Sequence, residues 1–182
     1  MARLVEQPFA VRNDRNDAFA IPLTDGPTWK RVRFLFLPAY TGFRYGDRHY
    51  GISALLLRDA PAGEALTSDA CMHDFESWSR PLLRGAHGEV TDPDMLRIRW
   101  HGTSVAVRKR DGSIPWGAET KRYATVYGAY PLWNTHCGVL AFAFSMNEDP
   151  AIAQQVRDRF ARDAFEQFEP LVPKKPKELS RV

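Results

Sequence analysis

Long hydrophobic runs are missing from this 182-residue sequence. The longest candidates, residues 32–37 and 139–144, have the length of a β-strand, whereas a helix that spans a membrane needs about 20 apolar residues in succession. The first six residues, Met-Ala-Arg-Leu-Val-Glu, lack the apolar core of a secretory signal. We therefore expect no membrane span, and either a cytoplasmic protein or a mature domain without its leader.

Cysteine and net charge are also scarce. The two cysteines, Cys71 and Cys137, leave open one disulfide or two buried thiols. Although the chain has 25 Lys and Arg residues, its net charge is only +3. Dedicated nucleic-acid binders usually concentrate more positive charge, and no aromatic residues alternate with the arginines as a stacking platform would require. The sequence therefore argues against a nucleic-acid partner.

Motifs for catalysis, metal binding and cofactor binding are absent as well. His73, Asp74 and Glu76 fall in one predicted helix, but no second histidine follows at i+4, as a helical zinc site requires. We therefore predict no catalytic residue, no metal and no cofactor. The alternative is a small hydrolase in which the fold gathers His49, His136 and acidic residues from distant parts of the chain.

The apolar and charged fractions, 44% and 26%, are those of a globular protein. Hydrophobic periodicity predicts strands at 29–37, 49–58, 96–100, 103–107, 123–130 and 137–145, with a bend at residues 111–112. Helices are predicted at about 64–80, ending before Pro81, and from Pro150 to residue 168. The expected fold is a single α+β domain, a mainly antiparallel sheet with helices packed on it. Its segments are an irregular one at 1–28, the domain at 29–169 and a basic, proline-rich tail at 170–182.

A hairpin that turns at His101 and Gly102 has the clearest pattern. Apolar and polar residues alternate on both sides of this two-residue turn, so that Ile98 lies opposite Val105 and every apolar pair falls on one face. The strand at 137–145 is apolar on both sides, which predicts a central position with both faces covered.

The last helix has a clear start and an apolar end. Asp149 can cap its N-terminus, and Pro150 suits its first turn. An i, i+4 row of apolar residues leads to residues 160–168, which we expect in the core.

The positions of the two cysteines favour a disulfide. Cys71 shares the apolar stripe of the first helix with Phe75 and Trp78, and Cys137 begins a strand face of small residues on which a helix can pack closely. A bridge would close a loop of about 65 residues and favour a periplasmic or secreted location. Two reduced thiols remain the alternative.

Two surfaces are candidate binding sites. Tyrosine and arginine are enriched at interaction hot spots, which marks the predicted 40–50 loop and its residues Tyr40, Phe43, Arg44, Tyr45, Asp47 and His49. The hairpin face opposite the apolar pairs carries Arg97, Arg99 and Arg108, a set that suits phosphates, lipid headgroups or an acidic protein. The alternatives are a loop folded onto the core and a solvated outer face.

The order of elements resembles the PsbP-like sandwich group, which includes the extrinsic photosystem P subunit and small bacterial lipoproteins. The likeness is carried by FESW at 75–78, WHGT at 100–103, RYATVY at 122–127, LAFAF at 140–144 and the helix at 160–168. It implies a central antiparallel sheet between helices, and an accessory or envelope-binding role without catalysis. No binding residue is carried over from it.

These observations favour a noncatalytic binding or accessory domain that docks a partner protein or ligand within a larger assembly. The alternatives are the hydrolase described above and an immunity-type protein, which would expose an acidic or aromatic patch. The oligomeric state stays open.

Overall fold

The computed structural model describes residues 12–15, 18–23, 29–33, 40–45, 49–63, 65–84, 95–116, 118–133, 135–146 and 149–171. Within these ranges the chain forms ten strands and two helices. The strands are β1 (Arg12–Arg15), β2 (Phe19–Leu23), β3 (Trp29–Arg33), β4 (Tyr40–Tyr45), β5 (His49–Asp59), β6 (Met95–Trp100), β7 (Thr103–Trp116), β8 (Glu119–Leu132), β9 (His136–Ser145) and β10 (Glu169–Pro170). The helices are α1 (Ser68–Arg84) and α2 (Pro150–Ala164).

Seven of these strands form one antiparallel sheet in the order β3-β4-β5-β9-β8-β7-β6. The other three form a small sheet in the order β1-β2-β10. Helix α1 packs on one face of the large sheet, and α2 with the small sheet packs on the other. The prediction of a single α+β domain with helices on an antiparallel sheet is confirmed.

The predicted hairpin is confirmed in its register. Ile98 lies opposite Val105, and the chain turns at His101 and Gly102. Both turn residues have a positive φ, 45° and 80°, as a two-residue turn with the twist of the flanking strands requires. The apolar side of β7, with Val105, faces α2 and is fully buried.

Strand β9 lies at the centre of the large sheet, as its two apolar sides predict. Leu140, Phe142 and Phe144 face α2, while Cys137 and Val139 face α1. The start of α2 also agrees with the sequence, because the Asp149 carboxylate accepts hydrogen bonds from the backbone N–H groups of residues 151 and 152.

The predicted 40–50 loop is wrong, because most of it is extended. Tyr40–Tyr45 forms β4, and β5 begins at His49. Gly42, a bend signal in the sequence, lies within the sheet between Val32 and Ile52. The tyrosine, threonine and phenylalanine content of this stretch favours a strand, and pairing on both sides outweighs the flexibility of the glycine.

The expected irregular segment at 1–28 contains two strands. β1 pairs with β2, and β2 pairs with β10. Phe19 and Ile21 alternate along β2, and their side chains are buried in the core beside α2. The first residue of the expected tail, Pro170, belongs to β10, while residues 172–182 lie outside the described ones.

Two further boundaries differ from the sequence prediction. β7 runs straight through Asp111 and Gly112, because both pair with β8 and the Asp111 carboxylate is held by Arg157 of α2. α1 begins at Ser68, where the Thr67 hydroxyl accepts a hydrogen bond from the backbone N–H of residue 70. It continues to Arg84 through Pro81, which removes one backbone donor without ending the helix.

Candidate functional site

The basic hairpin face lies on the same side of the sheet as α1. Arg97 donates two hydrogen bonds, of 2.6 and 3.2 Å, to the carboxylate of Asp69 in the first turn of α1. Such a bidentate pair fixes orientation as well as charge. Arg97 therefore helps to place the start of α1 on β6.

Arg108 is also engaged with α1. Its Nε lies 2.9 Å from Oε1 of Glu76, and the Tyr127 hydroxyl donates to the same oxygen at 2.9 Å. The side chains of Arg108 and Glu76 are only 20% and 25% exposed. Burial, followed by the charge and hydrogen bond of Glu76, raises the pKa of Tyr127. The triad joins one helix to two strands, and its phenol stays protonated.

Arg99 differs from the other two predicted arginines. It is exposed on β6, and no carboxylate of the described residues pairs with it. Arg110, on the same face of β7, is half-buried and has no such partner within the described ranges either. Of the three arginines predicted to bind, Arg99 is therefore the one that the described ion pairs leave available to a ligand.

The two predicted binding surfaces lie apart. β4 is second and β6 is seventh in the order of the large sheet, which separates them by about 24 Å. For Tyr40, Phe43, Arg44, Tyr45 and His49 the structure places the backbone, and their side chains lie outside the described residues, as does all of Asp47.

The histidines proposed for a hydrolase site do not meet. His136 lies opposite Asp59 at one end of β5, and His49 begins that strand ten residues earlier, about 33 Å away. The two histidines therefore cannot share one active site in this fold. The structure contradicts a hydrolase site that contains both His49 and His136.

His73, Asp74 and Glu76, which the sequence analysis did not assign to a metal or catalytic site, have separate environments on α1. His73 is exposed, Asp74 lies 3.6 Å from Arg58 of β5, and Glu76 faces Arg108. Each acidic side chain therefore neutralises an arginine of the sheet.

The two cysteines are bonded. The Cys71–Cys137 disulfide spans 5.4 Å between Cα atoms and links α1 to the start of β9. Both residues are at most 2% exposed, packed with Phe75 and Val139. The helix stripe and the small-residue strand face together predicted this contact, and the structure confirms it.

Ion pairs on the opposite face attach α2 to β7. The Arg157 guanidinium contacts Asp111, and Lys109 lies 3.1 Å from Asp158. Burial raises the pKa of Asp158, but the hydrogen bonds from Arg157 and Lys109 outweigh it, and the net pKa is lowered. Here too charged groups connect a helix to the sheet.

The turn between β8 and β9 carries a residue that the sequence interpretation missed. Trp133 is 36% exposed and has a φ of 37°. Its ring meets the His136 ring edge-on, with centroids 5.9 Å apart. A large aromatic residue between two strands, at a position that must turn the chain, is the signal that identifies it.

Comparisons with known proteins support the fold. No family model matches the chain, and no curated protein matches it. The structure is similar to the crystal structure of LpqN, which is involved in cell envelope biogenesis of Mycobacterium tuberculosis. The TM-score is 0.51, with 13% identity over 92% of this chain and 94% of that chain. At this identity the likeness concerns the fold alone. Neither described helix is long and apolar enough to cross a membrane.

Proposed function

We propose that this chain is a noncatalytic accessory domain that works outside the cytoplasm and docks a partner protein. The observation that carries the proposal is the use of its polar side chains. In the described part of the chain, ion pairs on both sheet faces, such as Glu76 with Arg108 and Asp111 with Arg157, connect helices to strands. Groups used in this way stabilise a rigid scaffold for binding.

The disulfide and the structural neighbour support the location. Disulfides persist in oxidising compartments and are rare in the cytoplasm, and the Cys71–Cys137 bond joins two elements of the core. The structural neighbour LpqN is a protein of cell envelope biogenesis. A sheet between helices also agrees with the PsbP-like group, whose members commonly are accessory subunits, and we extend that role to this chain as part of the proposal.

For the docking surface we propose Arg99, the exposed basic residue on β6. The segment from Tyr40 to His49 is proposed as a separate contact near the opposite edge of the sheet. Arg99 is the arginine whose charge a partner would meet first. Replacing it by glutamate should weaken binding to an acidic region of the partner, whereas Arg97→Glu would also disturb the contact with Asp69.

Purification of the tagged chain from its native host tests the proposed function. Under nonreducing conditions we expect one intramolecular Cys71–Cys137 bond by mass spectrometry and a defined partner protein in near-stoichiometric amount. A tagged, unrelated exported domain at the same level is the control for nonspecific capture. Two free thiols would contradict the location, and the absence of any specific partner would contradict the accessory role.

An immunity-type role is a second candidate, because one end of the domain exposes an aromatic side chain beside carboxylates. Trp133 and Asp59 both belong to this end. The identity of the captured partner decides between the two roles: a toxic enzyme supports immunity, and an envelope component supports an accessory subunit.

A further inference from the structure

The turn at residues 133–135 exposes an aromatic ring at one end of the large sheet. Leu132 and His136 form the last pair of β8 and β9, and Trp133 directly follows β8 where the chain begins to turn. Among the described large apolar side chains, Trp133 and Leu96 are the two exposed ones, at 36% and 38%. Leu96 lies on an extended strand, whereas Trp133 lies at a tip where a partner can approach.

The backbone of Trp133 is strained. A positive φ is uncommon for residues other than glycine, and for a bulky side chain it is an outlier that concentrates at functional positions. The other such residue in the described ranges, His101, belongs to a two-residue turn that requires a positive φ. Glycine would accept the conformation of Trp133 without strain, and packing leaves 36% of the tryptophan exposed.

Carboxylates surround this end of the sheet on the side of α2. Ala106, four residues after Gly102, lies opposite Ala129, four residues before Trp133, so the turn at 101–102 and the turn that begins at Trp133 lie at the same end. Asp59, 91% exposed, lies 3.4 Å from His136, and Glu169 lies 3.1 Å from His101. We call Asp59, Glu169 and the nearby exposed Glu166 the acidic rim.

We propose that Trp133 is the anchor residue for the partner protein, entering an apolar pocket whose edge is basic. This inference rests on the proposed function and adds a third contact to the two surfaces proposed there. The part of the partner that meets Trp133 is basic, whereas the part that meets Arg99 is acidic. Tryptophan is among the residues most enriched at interaction hot spots. The acidic rim favours a partner whose pocket is surrounded by basic residues, because the two charges are complementary. The same carboxylates oppose an anionic lipid surface, so a protein is the occupant to which the geometry points.

The test compares variants of the full chain for affinity to the partner that co-purifies with the wild type. Trp133→Gly removes the ring and relaxes the backbone, Trp133→Phe keeps an aromatic anchor, and Leu96→Ala removes an equally exposed apolar side chain elsewhere. We expect Trp133→Gly to raise Kd at least tenfold, Leu96→Ala to change it less than about threefold, and Trp133→Phe to lie between them. Asp59→Lys should also raise Kd.

The melting temperature separates binding from folding. Because glycine relieves the strained backbone while the partly covered ring is lost, Trp133→Gly should lower Tm no more than Leu96→Ala does. A fall in Tm greater than that of Leu96→Ala would show that Trp133 is a structural lid and would overturn the inference.

Four binding outcomes would also overturn it. Equal affinity of the wild type and Trp133→Gly would remove the anchor and leave the proposed function intact. Tighter binding by Asp59→Lys would remove the basic pocket edge. Trp133-dependent binding to phosphatidylethanolamine–phosphatidylglycerol vesicles would replace the protein by a membrane. If the wild type retains no partner at all, the proposed function and the inference fail together.

Discussion

The hydroxyl group of Ser68 lies between two strands of the large sheet. Ala106 and Ala129 face each other in β7 and β8. The N–H of Ala106 donates to the Ser68 oxygen at 2.7 Å, and the Ser68 hydroxyl donates to the carbonyl of Ala129 at 2.5 Å. One buried side chain at the start of α1 therefore satisfies two backbone groups of the sheet.

Ser68→Ala should lower the free energy of unfolding by about 1–3 kcal/mol, because it leaves a buried donor and acceptor without that bridge. Urea unfolding measures the change. Ser77→Ala is the matched control, since Ser77 is exposed on the same helix and its hydroxyl bonds only to the carbonyl of Asp74. We expect the control to stay within about 0.5 kcal/mol of the wild type. Equal effects of the two substitutions would contradict the bridging role.

Buried tyrosines predict a loss of stability in alkaline solution. Burial, the larger cause, and nearby carboxylates raise the pKa values of Tyr127 and Tyr130 above the ordinary 10.0. Above pH 10 the unfolded chain loses these protons while the folded chain keeps them. The stabilisation is therefore fully present below pH 10 and is lost as pH rises toward the folded-state pKa values.

The free energy of unfolding in urea, measured at pH 9 and at pH 11, tests this expectation. Tyr127→Phe removes one of the two phenols, so the decline between the two pH values should be smaller in this variant than in the wild type. An identical decline in both proteins would show that the Tyr127 phenol ionises as easily in the folded chain as in the unfolded one.

The disulfide and three ion pairs, in which Asp69, Asp74 and Glu76 face arginines of the sheet, hold α1 in place. The disulfide joins positions 66 residues apart, and a closed loop of this length stabilises the folded state by about 4 kcal/mol in the chain-entropy model. Reduction with dithiothreitol in urea should therefore lower the unfolding midpoint of the wild type. The Cys71→Ala, Cys137→Ala double variant is the control, because its midpoint should not respond to the reductant.

The chain after α2 is joined to the sheet by aromatic residues. The Trp100 indole donates to the carbonyl of Phe168 at 2.7 Å, and the Tyr130 hydroxyl donates to the carbonyl of Phe165 at 2.9 Å. The side chains of both phenylalanines are fully buried. The expectation that residues 160–168 lie in the core is confirmed, although the helix ends at Ala164.

Truncation after Asp149 should therefore unfold the domain, since each large side chain that is lost removes about 1.5–3 kcal/mol of burial from a total of about 5–15 kcal/mol. Circular dichroism and thermal melting measure the outcome. Asp149→Ala in the full chain is the control: it removes only the helix cap, costs about 1 kcal/mol, and should stay folded. A cooperatively melting truncated chain would contradict the prediction.

Elements defined by local pattern could be predicted from the sequence. The turn at His101 and Gly102, the two apolar sides of β9 and the cap at Asp149 each depend on residues within a few positions. β4 could not be predicted in this way, because its strand conformation depends on pairing that outweighs the bend signal of Gly42. The same holds for β7, which pairing and Arg157 keep straight at Asp111.

The partners in the polar contacts of the candidate site could not be predicted from the sequence. Glu76 and Tyr127 are 51 positions apart, and no spacing rule relates them. The arginines of β6 and β7 could be assigned to one face of the hairpin, but not to contact with α1. The strain at Trp133 depends on a backbone angle, which composition does not encode.

At the scale of the whole molecule, one set of strands supports both layers of helix. Two tyrosines of β8 pack on opposite sides of the sheet: Tyr127 packs against Phe75 of α1, and Tyr130 packs against Phe165, which follows α2. Detachment of either helix would expose apolar residues of strands that also form the core with the other helix. The two cores are therefore structurally dependent on each other.

We accordingly expect a single unfolding transition. The ratio of calorimetric to van't Hoff enthalpy should be near one, and far-ultraviolet and near-ultraviolet circular dichroism should give the same midpoint. Two separate transitions would indicate that one helix and its face unfold independently.

The burial of Cys71 and Cys137 imposes an order on biosynthesis. Thiol–disulfide exchange requires a thiolate to reach a sulfur atom, and the packed helix shields both sulfurs from any oxidoreductase. Bond formation must therefore precede the docking of α1, and reduction requires that the helix detach again. The redox state of the mature protein thus records the compartment in which the chain folded, even if the protein later moves to a compartment of different redox potential.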